Sequence, residues 1–195
     1  STMYRKSLST GGSGGLVYST DIDTYRLALG YADRGKQPWR EDLNQNDPGN
    51  SLFPALNFNT NELSCAIGLA SIGRLQDTID KRVALVSGVV RLLQSESHAC
   101  TPYAFHDGFS PFFFPIFVDT DKLRCSKIDF ADALAAEGIE LNRHYGCVIS
   151  GWEWAKPYLS DDFVCTNALD TKNRTFNLHL NERYGEEEVQ DIVAA

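Results

Sequence analysis

The chain has 195 residues, of which 43% are hydrophobic and 23% charged, and its formal net charge is −8. This composition is ordinary for a globular protein, and its acidic balance argues against general nucleic-acid binding. No apolar run approaches the roughly 20 residues that span a bilayer, and the first residues lack the pattern of a signal peptide. We therefore expect one large domain, or a domain and a half, in the cytoplasm, without a nucleic-acid or membrane partner.

The five cysteines and four histidines are spread along the chain. They form no C-x-x-C pair and no spacing typical of metal ligands. The odd number of cysteines indicates reduced thiols that pack as small apolar groups. We predict no metal site.

The first sixty residues combine a lysine, a glycine-rich turn and a long polar segment. Lys6 precedes the sequence GGSGG at 11–15, and LVYS at 16–19 predicts a short strand. A helix is predicted over residues 21–33, where it stops before a glycine. Residues 36–54 are polar and contain three prolines, which predicts a surface loop of a length that is often functional.

The clearest helical pattern covers residues 61–94. Asn59 and Glu62 have the spacing of a capping box, which predicts a helix start near residue 59 or 60. Apolar residues then recur mostly at intervals of three and four. The members of this stripe are Leu63, Ile67, Ala70, Leu75, Ile79, Val83, Val86, Val90 and Leu93. The pattern predicts one helix about 45 Å long that links two lobes.

Beyond residue 94, strand and helix patterns follow one another. Ser126 and Asp129 predict a capped helix start, and Gly138 predicts the end of the same helix. The predicted elements are, in order, a strand at 110–118, a helix at 126–138, a strand at 139–142, a short helix at 152–159, a strand at 175–180 and a helix at 186–194. This order is typical of a compact α+β lobe.

Two segments together resemble the signatures of a known family. The first has a serine, a lysine five residues later and a glycine-rich turn, here Ser1, Lys6 and residues 11–15. The second is G-x-N-x-R-M before an amphipathic helix rich in small residues, here the sequence ALNFNT at 55–60. Both resemble the DegT/DnrJ/EryC1 family of pyridoxal 5′-phosphate (PLP)-dependent sugar aminotransferases. Ala55 and Asn59 depart from the usual glycine and arginine.

The resemblance implies an α/β fold, the C-terminal portion of a fold type I PLP-dependent transferase. Residues 1–60 would be a remnant of the PLP-binding large domain, residues 61–94 a long interdomain helix, and residues 95–195 a small C-terminal α+β domain. It also implies an upstream half, which supplies an aspartate for the pyridine nitrogen, an aromatic ring that stacks on PLP and a phosphate-binding turn.

The resemblance assigns Lys6 as the catalytic residue, which carries PLP as a Schiff base and moves the proton during transamination. Ser1 would bind the cofactor phosphate. Asn57 would reach the phosphate of the neighbouring subunit, so that the enzyme is a homodimer with shared sites. Each assignment has a structural alternative: a solvated lysine, a frayed terminus, and a loop asparagine that caps its own backbone.

Substrate contacts are assigned to Trp39, Arg40, Arg143, His144 and Tyr145, for which loop or packing roles are the alternative. The implied reaction is amination of a keto or aldehydo sugar with glutamate as donor, for lipopolysaccharide or another cell-surface polysaccharide. The departures at Ala55 and Asn59 and the long loop at residues 36–54 resemble the branch of the family that aminates C8 of a 3-deoxy-octulosonate sugar acid.

Two other hypotheses compete with this one. In the first, the chain is a non-catalytic, self-associating fragment that binds no PLP. In the second, it is a PLP-dependent sugar dehydratase. Dehydratases of the family carry histidine at the lysine position, so Lys6 argues against the second alternative.

Overall fold

The computed structural model describes residues 1–106, 108–160 and 163–195. The chain forms two compact units, Ser1–Gln76 and Asp77–Ala195. No helix of the described residues is long and apolar enough to cross a membrane. The predicted three-part division into residues 1–60, 61–94 and 95–195 stays a prediction.

The first unit consists of two helices and long loops. Helix α1 covers Ile22–Ala32, and the Asp21 side chain caps it by accepting a hydrogen bond from the Thr24 amide. Gly35 follows with φ of 76°, a conformation that favours glycine. Both features confirm the helix predicted over 21–33. The loop predicted over 36–54 contains one short 3₁₀ helix, Pro48–Asn50.

The strand predicted at 16–19 is wrong, because these residues lie in neither a helix nor a strand. A strand needs a hydrogen-bonding neighbour, and an apolar sequence by itself does not provide one. The side chains of Leu16, Val17 and Tyr18 are instead 75–87% exposed.

The single helix predicted over 61–94 is also wrong. Helix α2 covers Glu62–Ile72 and helix α3 covers Leu75–Glu96, with Gly73 between them. The Arg74 amide donates to the Ser71 carbonyl, a bond that tightens the last turn of α2. The apolar period continues across this break, so periodicity alone did not reveal it.

The start of α2 differs from the prediction as well. Asn61 is the N-cap, and its side chain accepts a hydrogen bond from the Ser64 amide. The predicted cap, Asn59, lies two residues earlier in the loop. Both positions carry asparagine, so the residue type alone does not distinguish between them.

The second unit contains a four-stranded antiparallel sheet in the order β1-β2-β4-β3. The strands are β1 (Cys100–Pro102), β2 (Phe113–Val118), β3 (Leu141–Asn142) and β4 (Thr175–His179). Among the described residues of this unit, α3 is followed by three further helices, namely α4 (Lys127–Ala136), α5 (Thr166–Arg174) and α6 (Glu186–Ala194). Short 3₁₀ helices occur at Thr120–Lys122, Ile149–Gly151 and Glu153–Tyr158.

Most elements predicted for the second unit are present, including the Ser126 cap of α4 and the whole of α6. Strand β1 and helix α5 were not predicted. Both are short, and α5 has no side-chain cap. Short elements carry little periodic signal, and tertiary packing decides them.

The core of the second unit lies on one face of the sheet. Phe114 and Ile116 alternate with half-buried residues along β2 and pair with Leu178 and Phe176 of β4. They join buried residues of α3, α4 and α6 in one cluster. On the opposite face, α5 packs against β2 and β4. Four successive residues of β4 are therefore buried.

Candidate active site

Residues 2–14 fold back on themselves and place Lys6 in a tight loop. The amides of Thr2 and Tyr4 donate to the carbonyls of Gly14 and Gly12, each at 2.9 Å. These bonds close a loop formed by residues 5–11. At the start of this loop, the Lys6 amide donates to the Met3 carbonyl at 2.8 Å. The Lys6 side chain is half-buried. The lysine is thus held at a defined position by the backbone around it.

Hydroxyl groups fasten this loop. Thr2 is 7% exposed, and its Oγ1 lies 3.0 Å from Thr10 Oγ1. Thr10 also donates to the Thr2 carbonyl, and the Ser71 hydroxyl of α2 accepts from the Ser9 amide at 3.2 Å. The sequence patterns did not single out these residues. Their only signal is a high content of Ser and Thr around Lys6.

Gly14 is a position where the backbone leaves no room for a side chain. A Cβ atom there would lie 2.6 Å from Thr2 Oγ1. The glycine cluster therefore lets the two arms of the loop approach each other, as the prediction of a tight turn required.

A cavity of about 440 Å³ lies between the Lys6 loop and the start of α2. One wall comes from Thr2, Thr10 and residues 13–16, and the other from residues 58–61 and the first three turns of α2. Parts of the two sequence signatures, residues 13–15 and residues 58–60, therefore line the same cavity. Lys6 and Asn57 are not among the residues that line it.

Ser1 and Asn57 are both exposed. The Ser1 hydroxyl accepts a hydrogen bond from the Met3 amide at 3.4 Å. Asn57 Oδ1 accepts from the Asn59 amide at 3.1 Å, which is the backbone-capping alternative considered for this residue. The roles of Lys6, Ser1 and Asn57 toward a cofactor stay predictions.

Arg40 is engaged within its own loop. Its Nε and Nη2 donate to the two carboxylate oxygens of Asp42 at 2.8 and 2.6 Å. This hydrogen-bonded pair lowers the pKa of Asp42 to about 2 and raises that of Arg40. Trp39 beside it is half-buried. A substrate carboxylate would have to compete with Asp42 for Arg40.

The second unit places Arg143 and His144 beside helix α4, and Tyr145 beside strand β2. Arg143 Nη1 donates to both carboxylate oxygens of Asp132 at 2.6 and 2.7 Å. The His144 amide donates to Asn142 Oδ1 at 3.0 Å. Tyr145 is 44% exposed, and its ring centre lies 6.2 Å from that of Phe113. Their substrate contacts also stay predictions.

The sequence patterns missed Lys127, a buried lysine beside these residues. It is 5% exposed, donates to the Arg143 carbonyl at 2.7 Å, and lies 3.3 Å from Nδ1 of His144. Burial, followed by the charge of Lys172, lowers the pKa of Lys127. Burial and the same two lysines lower the pKa of His144. A lysine is normally solvated, so no pattern pointed to it.

The chemistry available differs between the units. The first unit offers an amine and several hydroxyl groups around a glycine-rich loop. The second offers buried and exposed cations next to an aromatic pair. Within the part of the chain that the structure describes, no group of three or more His, Cys, Asp or Glu side chains is placed to hold a metal ion.

Comparisons with known proteins agree on one architecture. Residues 3–195 match the model of the DegT/DnrJ/EryC1/StrS aminotransferase family, whereas no curated protein sequence matches. The chain is similar to GDP-4-keto-6-deoxy-D-mannose-3-dehydratase of E. coli with bound hydrated PLP, at 16% identity and a TM-score of 0.79 over 99% of this chain and 52% of that one. It is similar to an aminotransferase from Psychrobacter cryohalolentis, at 16% identity and 0.78 over 99% and 53%.

A third solved structure is PseC of Helicobacter pylori, an aminotransferase involved in pseudoaminic acid biosynthesis, with 18% identity and a TM-score of 0.71 over 90% of this chain and 46% of that one. The chain thus spans about half the length of these structures. Identities this low show a shared fold, which confirms the predicted fold class. Because the family model covers nearly the whole chain, this protein belongs to the DegT/DnrJ/EryC1/StrS aminotransferase family.

Proposed function

We propose that this chain belongs to a PLP-dependent sugar aminotransferase in which Lys6 binds the cofactor. The observation that carries the proposal is the position of Lys6, in a loop closed by backbone hydrogen bonds and followed by glycines. Membership of the aminotransferase family supports the reaction class. The names of the similar solved structures support PLP as the cofactor and a sugar as the substrate.

The residues of the Lys6 loop fit the aldehyde and the phosphate of PLP. An aldehyde needs an amine, which Lys6 provides, and a phosphate needs hydrogen-bond donors. The Ser1 hydroxyl is five residues from Lys6, and the glycines after Lys6 leave backbone amides without bulky side chains. Bound PLP supplies an electron sink, which makes the proton on the carbon next to the amino group easier to remove.

Lys6 has two tasks in this proposal. It would hold the cofactor, and as an unprotonated amine it would move a proton between the amino-bearing carbon of the substrate and C4′ of the cofactor. The hydrogen-bonded loop fixes the backbone from which this amine extends. Ser1 holds the phosphate, and Asn57 reaches the phosphate in a second subunit of a homodimer.

The finer parts of the proposal concern substrate, donor and place. We propose glutamate as the amino donor and a keto or aldehydo sugar as the acceptor, with C8 of a 3-deoxy-octulosonate as the specific case. Trp39, Arg40, Arg143, His144 and Tyr145 are the proposed substrate contacts. The product would serve lipopolysaccharide or another cell-surface polysaccharide. Five free cysteines are consistent with the reducing cytoplasm as the place of reaction.

Reductive trapping tests the role of Lys6. The purified chain is mixed with PLP, treated with borohydride, and digested for mass spectrometry. We expect a visible absorbance band and a pyridoxyl adduct confined to the Lys6 peptide, because borohydride converts the imine into a stable secondary amine. Lys6→Ala removes the adduct.

Lys122→Ala is the matched control, since Lys122 is an exposed lysine paired with Asp119. This variant should keep both the band and the adduct. An adduct scattered over surface lysines, or none at all, would instead favour the alternative of a non-catalytic chain that binds no PLP.

A further inference from the structure

Lys127 is a positive charge at a position that disfavours one. It is the first residue of α4, at the positive end of the helix dipole, and only 5% of it is exposed. Burial of an ammonium is costly, and an apolar residue of similar size would avoid that cost. Within the described residues its ammonium has two hydrogen-bonding partners, and neither is a carboxylate. These two contacts therefore indicate what the lysine does.

The two contacts of Lys127 are made to consecutive residues. Its Nζ donates to the Arg143 carbonyl at 2.7 Å and lies 3.3 Å from Nδ1 of His144. An ammonium has only donor hydrogens, so it bonds to Nδ1 only when Nδ1 carries no proton. The neutral ring then carries its proton on Nε2. Lys127 thus selects one of the two tautomers of His144.

The backbone of His144 is fixed as well. Its amide donates to Oδ1 of Asn142 at 3.0 Å, and Asn142 of β3 pairs with Asn177 of β4. The ring is therefore held from α4, through Lys127, while the backbone that carries it is held from the sheet. Constraints on both sides keep the imidazole in one orientation.

Positive groups surround the ring. Burial lowers the pKa of His144 most, and the charges of Lys127 on α4, Lys172 on α5 and the adjacent Arg143 lower this pKa further. The carboxylate of Asp132 on α4 is bound to Arg143 Nη1 at 2.6 and 2.7 Å. A lowered pKa keeps the imidazole neutral at neutral pH, so that Nδ1 stays available to accept from Lys127.

Nε2 is the part of the ring that stays accessible. Within the described residues, no hydrogen bond involves Nε2 of His144, and this atom is not among the buried side-chain atoms that lack a partner. It therefore reaches solvent. In the neutral ring Nε2 is a donor, and Nδ1 is already occupied, so neither nitrogen is left to accept a proton. A ligand atom that bonds to this ring has to be an acceptor.

We propose that Lys127 is a positioning residue, which holds His144 as a neutral hydrogen-bond donor toward an acceptor oxygen of the sugar substrate. His144 then binds the substrate without taking a proton from it, and the proton transfer stays with Lys6. The substrate contact rests on the proposed function. The contact between Lys127 and His144 does not, because both residues lie in the second unit.

NMR of the imidazole nitrogens tests the contact. The chain is labelled with ¹⁵N-histidine, and each ring is followed from about pH 5 to about pH 9. We expect the His144 midpoint to lie below the usual 6.5, with Nε2 and not Nδ1 protonated in the neutral ring. Lys127→Met should raise the midpoint toward 6.5, because a positive charge is removed, and should let part of the neutral molecules protonate Nδ1.

His106 is the internal control. Its Nδ1 accepts from the Gly108 amide at 3.1 Å, so the backbone sets its tautomer. The ring nitrogens of His106 should therefore be the same in wild type and in Lys127→Met. Lys156→Met, at an exposed lysine paired with Glu153, should leave both histidines unchanged.

Two results would overturn the contact. The first is a proton on Nδ1 of neutral His144 in the wild type, and the second is an unchanged midpoint and tautomer in Lys127→Met. The wild-type spectrum needs no variant, so it decides the question even where Lys127→Met does not fold.

Titration with 3-deoxy-octulosonate tests the donor role. We expect a saturable shift of the His144 Nε2 resonance in the wild type, and at least about tenfold weaker binding in Lys127→Met, because a mixed tautomer loses part of the hydrogen bond. No saturable shift would overturn the donor role. The pyridoxyl adduct on Lys6 is measured in the same two chains and should be equal in both. A missing adduct defeats the proposed cofactor role, whereas a normal adduct without sugar binding defeats only the inference about Lys127 and His144.

Discussion

The two units of this chain differ in how they are held together. Every buried hydrophobic side chain among the described residues belongs to the second unit, from Leu85 to Val189. In the first unit the buried residues are Thr2, Gly30 and Gly35. Leu16, Tyr18 and Leu69 there are 76–87% exposed. The second unit has a core, whereas the first consists of capped helices and hydrogen-bonded loops.

This difference shows that local signals and burial are separate sources of structure. Helices α1 and α2 have 11 residues each, a length at which isolated helices are marginal in water. An exposed apolar surface of this extent normally marks an interaction surface. The exposed apolar surface of the first unit supports the proposed homodimer, in which a second subunit would cover this surface.

Removal of a core side chain is the strongest test of the comparison. Phe114 is 0% exposed, so Phe114→Ala should lower the free energy of unfolding by about 3–5 kcal/mol. Tyr18 is 87% exposed, and Tyr18→Ala should stay within about 0.5 kcal/mol. Urea unfolding followed by circular dichroism measures both. Similar losses in the two variants would mean that the first unit has a core of its own.

A backbone test in the first unit comes next in size. Gly35 has φ of 76°, and an added Cβ would overlap the Phe53 carbonyl oxygen. Gly35→Ala should therefore destabilise this unit locally by about 2 kcal/mol, from the left-handed conformation and the overlap together. Hydrogen exchange should become at least about tenfold faster at the amides of Arg34 and Leu52, which bond to Leu56 and Gly35 carbonyls.

Gly12→Ala is the control for this change. No atom lies within 4 Å of a Cβ added at Gly12. Exchange at the same two amides should stay unchanged in that variant. Unchanged hydrogen exchange in Gly35→Ala would contradict this prediction, because it would show that the loop around Phe53 accommodates the added methyl group without a loss of local stability.

Two equivalent helix caps sharpen the comparison further. The Ser126 hydroxyl accepts from the Asp129 amide at the start of α4, and Asn61 Oδ1 accepts from the Ser64 amide at the start of α2. Ser126→Ala should lower the free energy of global unfolding by about 1 kcal/mol, because α4 buries Ala131 and Leu134 in the core.

Asn61→Ala should reduce helicity without moving the main unfolding transition, because α2 buries no residue. Thermal unfolding and far-UV circular dichroism distinguish the two effects. A similar decrease in the free energy of global unfolding in both variants would contradict the prediction, because it would show that the two units unfold together.

The smallest expected effect concerns pH. Arg40 lowers the pKa of Asp42 from 3.8 to about 2, so the ionised pair contributes to the folded loop above pH 3.8. The contribution is lost as the pH falls toward 2, and both groups are too exposed for a large effect on stability. Carbon NMR of the Asp42 carboxyl group should show a midpoint near 2. Arg40→Ala should return the midpoint toward 3.8, whereas an unchanged midpoint would exclude Arg40 as the cause.

Sequence patterns found the elements that have strong local signals. The helix starts predicted at residues 21 and 126 and the last helix predicted at 186–194 are all present in the structure. The Lys6 loop is likewise tight, as its glycines predicted. Patterns failed at Gly73, where the apolar period continues through a helix break, and at Leu16, where apolar residues form no strand. They also missed Lys127 and Asn177, since burial of a polar residue depends on distant parts of the chain.

The sequence by itself determined the starts of helices α1 and α4 and the turn after Lys6, and its two signature segments indicated the family. These features depend on residues close together in the chain, whose side chains reach their own backbone. Tertiary structure alone decided the strand order β1-β2-β4-β3 and the burial of Lys127 and Asn177. Those features arise from contacts between residues far apart in sequence, and the free energy of such contacts depends on the whole packed unit.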